Sequence, residues 1–219
     1  MHPLCADLAE RGWAAWNVEY RRLGRGSGGG YPQTLDDVGA AVDHLAALAE
    51  GEGTAPASRQ RRRGRGRGTV AAQGLALRRV LAIGHSAGGH LAAWLATRGE
   101  PRVRVTGVVA QAGVLDLRFA SELALSGRVV HRLLGGTPAE APDRYAAASP
   151  AERLPLGVPV LLTHGGRDDI VPPVMSERFA AAGRVAGDDV ELVIEPGEDH
   201  FGHLDPENPL WRAVTAWIR

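Results

Sequence analysis

An apolar run, Val80-Leu81-Ala82-Ile83, leads into Gly84-His85-Ser86-Ala87-Gly88 and from there into a helical run, His90-Leu91-Ala92-Ala93-Trp94-Leu95-Ala96. Read as strand, sharp turn and helix, this stretch predicts a serine at the apex of the turn, in strained backbone and with its hydroxyl exposed. The flanking Gly84 and Gly88 are predicted to be required, because a Cβ at either would collide with the neighbouring strand or helix. Ser86 is therefore the candidate nucleophile.

The rest of the chain continues the alternation. Residues 105–110, 158–163 and 190–194 read as short apolar strands, and Leu4 to Glu10, Val174 to Val185 and Leu210 to Ile218 as helices. A further helix is expected from Thr34 to about Glu50, where Leu35, Val38, Ala41, Val42, Leu45 and Leu48 share one face behind Asp36 and Asp37. Aromatic and β-branched residues after Gly12 make Trp13 to Tyr20 a predicted strand. Apolar strands alternating with helices predict an α/β fold with a mostly parallel sheet covered on both faces. At 219 residues and 44% hydrophobic, a single domain over 1–219 is expected. Residues 113–156, with short helical pieces and several prolines but no clear period, are expected to form a lid or cap region.

Composition excludes several classes of function. The 25 basic side chains are matched by 25 acidic ones, so no overall field draws the chain to nucleic acid or to an anionic membrane. Six arginines lie between Arg59 and Arg67, inside a stretch, 51–78, that reads as a disordered insert because almost nothing in it can be buried. Without interleaved aromatic residues or a helix, that cluster reads as a solvated linker and not as a nucleic-acid site. No apolar run reaches the roughly 20 residues that span a bilayer. Cys5 is the only cysteine and follows no secretory pattern, so a cytoplasmic location is expected.

A serine hydroxyl is a poor nucleophile near neutral pH and needs a base, with a third group holding that base in one tautomer. Both are available downstream. His164-Gly165-Gly166-Arg167-Asp168-Asp169 follows a predicted strand, at the sheet edge where open α/β sheets collect their sites. Asp168 is the candidate acid, with Asp169 as its fallback. Gly197-Glu198-Asp199-His200-Phe201-Gly202-His203 follows the last strand, and supplies His200 as candidate base ahead of His203. The order Ser, Asp, His is that of α/β-hydrolases. His85 and His90 are read as packing or hydrogen-bonding residues, His164 as packing beneath the acid loop, and Asp116 as the cap of a lid helix. No metal or organic cofactor is required, since nucleophile, base and acid are all side chains.

Gly84 to Ala92, the upstream Asn17-Val18-Glu19-Tyr20-Arg21-Arg22-Leu23-Gly24, the loop ending in Asp168-Asp169-Ile170-Val171-Pro172 and the His200-Phe201 loop together resemble α/β-hydrolase esterases. The resemblance is nearest to kynurenine formamidase-like and feruloyl-esterase-like members and more distant to prolyl oligopeptidase catalytic domains. It implies an acyl-enzyme mechanism on a small ester or aryl formamide, with the Ala87 N–H binding the oxyanion. The alternatives are a peptidase of the prolyl oligopeptidase type and a catalytically impaired fragment.

The chain departs from the resemblance at its start. Members of the family usually carry two or three more strands and a His-Gly-Gly loop, which gives a second oxyanion donor, before the segment matching Leu4 to Tyr20. The expectation is a fold truncated at its N-terminus, with a coding start assigned too far downstream preferred over a genuine fragment. Losing one oxyanion donor costs on the order of 10² to 10³ in turnover, or about 3 to 4 kcal/mol.

Overall fold

In a computed structural model, which describes residues 1–51 and 75–219, the apolar runs become four short strands. These are β1 (Leu81–His85), β2 (Gly107–Gln111), β3 (Val160–Gly165) and β4 (Val190–Glu195). They lie in one sheet in the order β1-β2-β3-β4, with every neighbouring pair parallel. Register aligns His85 with Gln111, Gln111 with Thr163 and Thr163 with Val193, so the strands end together at one edge.

Parallel strands must be joined by crossovers long enough to return to the start of the sheet, and those crossovers hold the helices. Between β1 and β2 runs α3 (Ala87–Ala96), and between β3 and β4 runs α7 (Val174–Ala186). The β2–β3 crossover holds α4 (Leu117–Glu122), α5 (Leu125–Leu134), α6 (Pro142–Ala148) and a 3₁₀ turn over Pro150–Arg153. Before the sheet come α1 (His2–Glu10) and α2 (Gln33–Ala49), and after it α8 (Pro209–Trp217).

Alternation along the strands sorts the core into two layers. Val108, Ala110, Val160 and Leu162 face Leu35 and Val38 of α2, Leu91 of α3 and Phe179 of α7. Val109 and Leu161, one residue out of phase, face Leu4 of α1 with Trp211 and Val214 of α8. Helices therefore cover both faces, as the α/β pattern predicts.

The expected strand over Trp13–Tyr20 does not form. That segment joins no ladder among the described residues. Trp13 lies under the Arg79 guanidinium, 4.8 Å from the ring centroid, and Val18 and Tyr20 pack against the core. Trp16 is left exposed beside His44. Strand propensity suits a side chain to a pleated surface, but it supplies no neighbouring strand to pair the backbone.

The loop before α2 is tied down by hydroxyl chemistry rather than by a ladder. Thr34, in the first turn of α2, donates to the Arg21 carbonyl at 2.7 Å and accepts from the Gly30 N–H at 3.0 Å, which fastens the glycine-rich stretch before the helix. Within α5 the chain passes through left-handed backbone at Ser126, Gly127 and Arg128 before the helix becomes regular.

Most of the insert expected over 51–78, including all of the Arg59–Arg67 cluster, lies outside the described residues. Among the described residues no helix is long and apolar enough to cross a membrane.

Candidate active site

The backbone at the end of β1 reverses within one residue. Ser86 holds φ 57° and ψ −117°, outside the ordinary regions for a residue with a side chain, and serves as N-cap of α3. Its N–H donates to the Gln111 carbonyl at 2.8 Å, and its own carbonyl accepts from His90 at 3.2 Å, so both sides of the turn are pinned. Ala87 is exposed in the first turn of α3, where N–H groups have no helical carbonyl to bond and point toward the serine end.

The two glycines around the serine are not equivalent, and one expectation is corrected. A Cβ on Gly84 would sit 2.0 Å from the Gly88 carbonyl oxygen, so the strand and the helix start can close only over a bare Cα. A Cβ on Gly88 would meet nothing within 4 Å. The second close approach is at Gly89, whose Cβ would fall 2.8 Å from the Gly113 Cα. Gly84→Ala is therefore expected to cost at least ~1–3 kcal/mol of stability, whereas Gly88→Ala should be neutral or slightly stabilising, since alanine favours a helix by about 1 kcal/mol over glycine. Urea denaturation of the two variants checks the contrast, and equal midpoints would contradict it.

At the same edge, the loops after β3 and β4 bring an acid and an imidazole together. His200 Nδ1 donates to Asp168 Oδ2 at 2.6 Å, with both side chains buried. The other carboxylate oxygen, Oδ1, accepts the backbone N–H groups of Ile170 at 2.9 Å and Val171 at 2.8 Å. Burial by itself would raise the Asp168 pKa. The donors from His200, Val171 and Ile170 outweigh it, and the carboxyl is held below its ordinary value. Asp169 is exposed and makes no such contact, so of the two candidate acids only Asp168 meets an imidazole.

His200 is joined to the serine turn through the neighbour of Ser86. His85 Nε2–H donates to the His200 carbonyl at 2.7 Å, and the two rings lie tilted against each other with centroids 4.6 Å apart. No hydrogen bond joins Ser86 Oγ to His200 Nε2, and His200 Nε2 has no protein partner among the described residues. Catalytic contacts of this kind are commonly long before substrate binds. Exposed Phe201 stands edge-on to the His200 ring, 5.3 Å between centroids.

The remaining candidates take supporting positions. His203, the fallback base, is fully buried, and its Nδ1 lies 3.2 Å from Thr163 Oγ1 and not against Asp168. His90 Nε2–H donates to the Ala148 carbonyl at 2.8 Å, and Asp116 Oδ1 caps α4 by accepting the Phe119 N–H at 3.0 Å. His164 lies beneath the acid loop, fully buried. Sequence reasoning read His85 and His90 as packing or hydrogen-bonding residues and His164 as packing, but did not show that His85 bonds to the base segment and His164 to the acid segment. The signal available was position: each sits on the last turn of backbone before a candidate residue. Among the described residues no group of three or more His, Cys, Asp or Glu side chains is arranged to hold a metal ion. A hollow of about 480 Å³ lined by Arg79, Leu81, Thr106, Pro159 and Trp217 opens at the opposite, N-terminal end of the strands, away from Ser86.

So many buried imidazoles give the fold an acid sensitivity. Burial is the leading cause that lowers the pKa of His85, His90 and His164 below 6.5, and it acts with three neighbouring imidazoles to lower His203 to about 3. Below pH 6.5 the unfolded chain binds protons on these groups that the folded chain refuses. The stability they confer is thus complete above pH 6.5 and is lost as pH falls toward 3, by up to ~1.4 kcal/mol per pH unit for each group. Urea midpoints measured at successive pH values should decline steadily below neutrality, and a flat profile to pH 4 would contradict this.

The family model described as the prolyl oligopeptidase family matches residues 68–219. Among solved structures, the acetyl ester-xyloside bifunctional hydrolase of Caldicellulosiruptor lactoaceticus superposes with a TM-score of 0.73 at 23% identity, over 99% of this chain and 74% of that one. Esterase 2 of Thermogutta terrifontis, in a form phosphoramylated by tabun, gives 0.70 at 22% identity, over 99% of this chain and 73% of its own. A truncated carbohydrate esterase from gut microbiota gives 0.62 at 20%, over 86% and 68%. Comparison with curated proteins gave no match. At these identities the structural likeness speaks for the fold.

Proposed function

This chain belongs to the prolyl oligopeptidase family, within the α/β-hydrolases, and is a hydrolase; from that premise we propose that it cleaves small carboxylic esters through an acyl-enzyme on Ser86. The observation that carries the reading is the 2.6 Å bond from His200 Nδ1 to Asp168 Oδ2, at the sheet edge that also bears the strained serine turn.

With Nδ1–H committed to the carboxylate, His200 presents an unprotonated Nε2, the nitrogen a general base needs. Ser86 Oγ attacks the ester carbonyl as its proton passes to His200 Nε2. The tetrahedral oxyanion is met by the Ala87 N–H, and collapse expels the alcohol with the proton returned from His200. Water repeats the sequence on the acyl-enzyme, releasing the acid and restoring Ser86. Asp168 stays ionised throughout and steadies the transient imidazolium.

A short acyl group is favoured by the relatives: one acts on an acetyl ester, and the Thermogutta esterase is known with propionate and with butyrate bound. Phe201, 58% exposed beside His200, offers a ring on which an aromatic leaving group can lie. Phe201→Ala should lower kcat/KM about three- to ten-fold on aryl esters and leave alkyl esters nearly unchanged. An equal loss on both would remove Phe201 from the leaving-group site.

The reading as a whole is tested with a panel of p-nitrophenyl acetate and butyrate, an N-formyl aryl amide and a proline-containing peptide amide. Turnover of the two esters with a burst of nitrophenol is the expected result. Cleavage of the peptide amide without the esters would make the enzyme a peptidase, and cleavage of the formamide alone an arylformamidase. The lone Cys5 suits a reducing compartment, so the cytoplasm is the proposed location.

A further inference from the structure

The Asp168 carboxylate carries more than one imidazole. Besides His200, His164 Nε2 lies 3.2 Å from the same oxygen, Oδ2. That nitrogen also lies 2.8 Å from the Val171 carbonyl, and on the far side of the ring His164 Nδ1 lies 2.8 Å from Ser176 Oγ. His164, Asp168 and Ser176 are all buried.

These partners leave one protonation pattern for the ring. Nε2 faces two oxygens, a carbonyl and a carboxylate, and both can only accept. It must therefore carry the hydrogen, which it donates to the Val171 carbonyl while facing Oδ2 at 3.2 Å. Nδ1 is then the unprotonated nitrogen, and the Ser176 hydroxyl, which has no other partner among the described residues, donates to it. A flipped ring would set carbon atoms against Ser176 and Val171, so the same contacts also select the ring orientation.

We propose that His164, fixed as the Nε2–H tautomer by the Val171 carbonyl and held in its ring orientation by Ser176, is a positioning residue that orients the Asp168 carboxylate toward His200. The inference rests on the proton relay proposed above and adds to it a second layer. The carboxylate accepts three hydrogen bonds, from the Ile170 and Val171 N–H groups on Oδ1 and from His200 on Oδ2, and His164 Nε2–H adds a polar contact to Oδ2 at 3.2 Å. The His164 contact gives Oδ2 a second polar neighbour besides His200 and so opposes rotation of the carboxylate. The two loop amides alone would leave Oδ2 steered only by His200, the group it has to steer. His164 ends β3, and Ser176 lies in the first turn of α7, so the orientation is referred to the sheet and a helix rather than to the loop. A residue present only to fill space could be apolar there and avoid burying a polar ring.

Other ionisable groups bear on this one. His200 bonds to the same carboxylate, His85 lies against the His200 ring and His203 against His85, and no arginine reaches the carboxylate among the described residues. Removing the His164 donor leaves Asp168 Oδ2 more negative, which favours the protonated form of the relay. The acid limb of kcat/KM then moves to higher pH.

Three variants test the proposal: His164→Met, which removes the donor at similar volume, His164→Gln, which keeps an N–H near Nε2, and Ser176→Ala, which removes the partner that holds the ring orientation. Ester turnover is followed against pH, and long-range ¹H–¹⁵N spectra report the tautomer of the ring. The expected result is a fall in kcat of about ten-fold for His164→Met with KM within two-fold, an acid limb displaced upward, and recovery of most of the rate in His164→Gln. Parent spectra should show His164 as Nε2–H alone, and Ser176→Ala should keep that tautomer, since the Val171 carbonyl still faces Nε2, while losing part of the rate as the ring is freed to turn. A His164→Met enzyme with parental kcat and acid limb, or a parent ring protonated on Nδ1, would overturn the proposal. If His164→Met fails to fold, Ser176→Ala carries the same kinetic test. The spectra need no catalysis, so an inactive parent with the expected tautomer would count against the relay and leave the fixed tautomer standing.

Discussion

Asp168→Asn is expected to lower kcat on the order of 10⁴-fold while leaving the fold and KM nearly unchanged, the size of effect this substitution has in serine proteases. The reason lies in which atoms can accept. Asp168 Oδ1 takes two backbone N–H groups, and an asparagine carbonyl oxygen can occupy that place without loss. The amide NH₂ then falls where Oδ2 stood, facing His200 Nδ1. Two N–H groups cannot point at one another, so His200 turns to the tautomer with its hydrogen on Nε2. That nitrogen can no longer take the Ser86 proton. Steady-state rates on p-nitrophenyl acetate, beside a thermal melt to show that the variant is folded, check this. A loss of less than about ten-fold would mean that Asp168 does not hold the base.

The largest effect on stability is expected at Trp211, on the sheet face formed with α1 and α8. Trp211 is fully buried against Leu4, Val109 and Leu161, and its Nε1–H donates to Asp7 Oδ2 at 2.7 Å. Trp211→Ala removes a large ring that the short strands and two helices cannot close over, and should destabilise the protein by about 3–5 kcal/mol. That is a substantial part of the ~5–15 kcal/mol that holds a domain of ordinary stability. Asp7 keeps Arg11 as a partner, so the loss is one of packing and not of an orphaned charge. Trp211 packs on the sheet face and not against Ser86, Asp168 or His200, so activity per folded molecule should persist at low temperature. Urea denaturation measures the loss, and a cost below about 1 kcal/mol would show that α8 does not anchor this face.

How much of this was readable before any coordinates depends on whether a feature is local. Val80 to Ala96 declared its own strand, turn and helix, because the apolar run, the glycines and the helix formers are contiguous. The four strands of the sheet were legible for the same reason: parallel strands covered on both faces are apolar along their whole length. Trp13 to Tyr20 had the same composition and made no strand, since a ladder needs a neighbour and propensity is silent about neighbours. Within the site, Ser86, Asp168 and His200 could be nominated from their order and from their places after strands. The reasons for choosing Asp168 over Asp169 and His200 over His203 are not local, and they appear only when the β3 and β4 loops meet. The roles of Gly88 and of His164 were misjudged or undervalued because both depend on what lies across a gap of tertiary structure. Gly88 has open space where a clash was expected, and His164 has a carboxylate and a serine where packing was expected.

The central claim is that Ser86 is made nucleophilic by His200 and Asp168, and a fluorophosphonate probe addresses it directly, because such reagents phosphonylate an activated serine hydroxyl and leave ordinary serines alone. Intact-mass and peptide analysis after incubation should show one adduct, on Ser86. The adduct should be absent from Ser86→Ala and should form far more slowly in Asp168→Asn. A folded protein that takes no probe, or takes it at another residue, would contradict the relay.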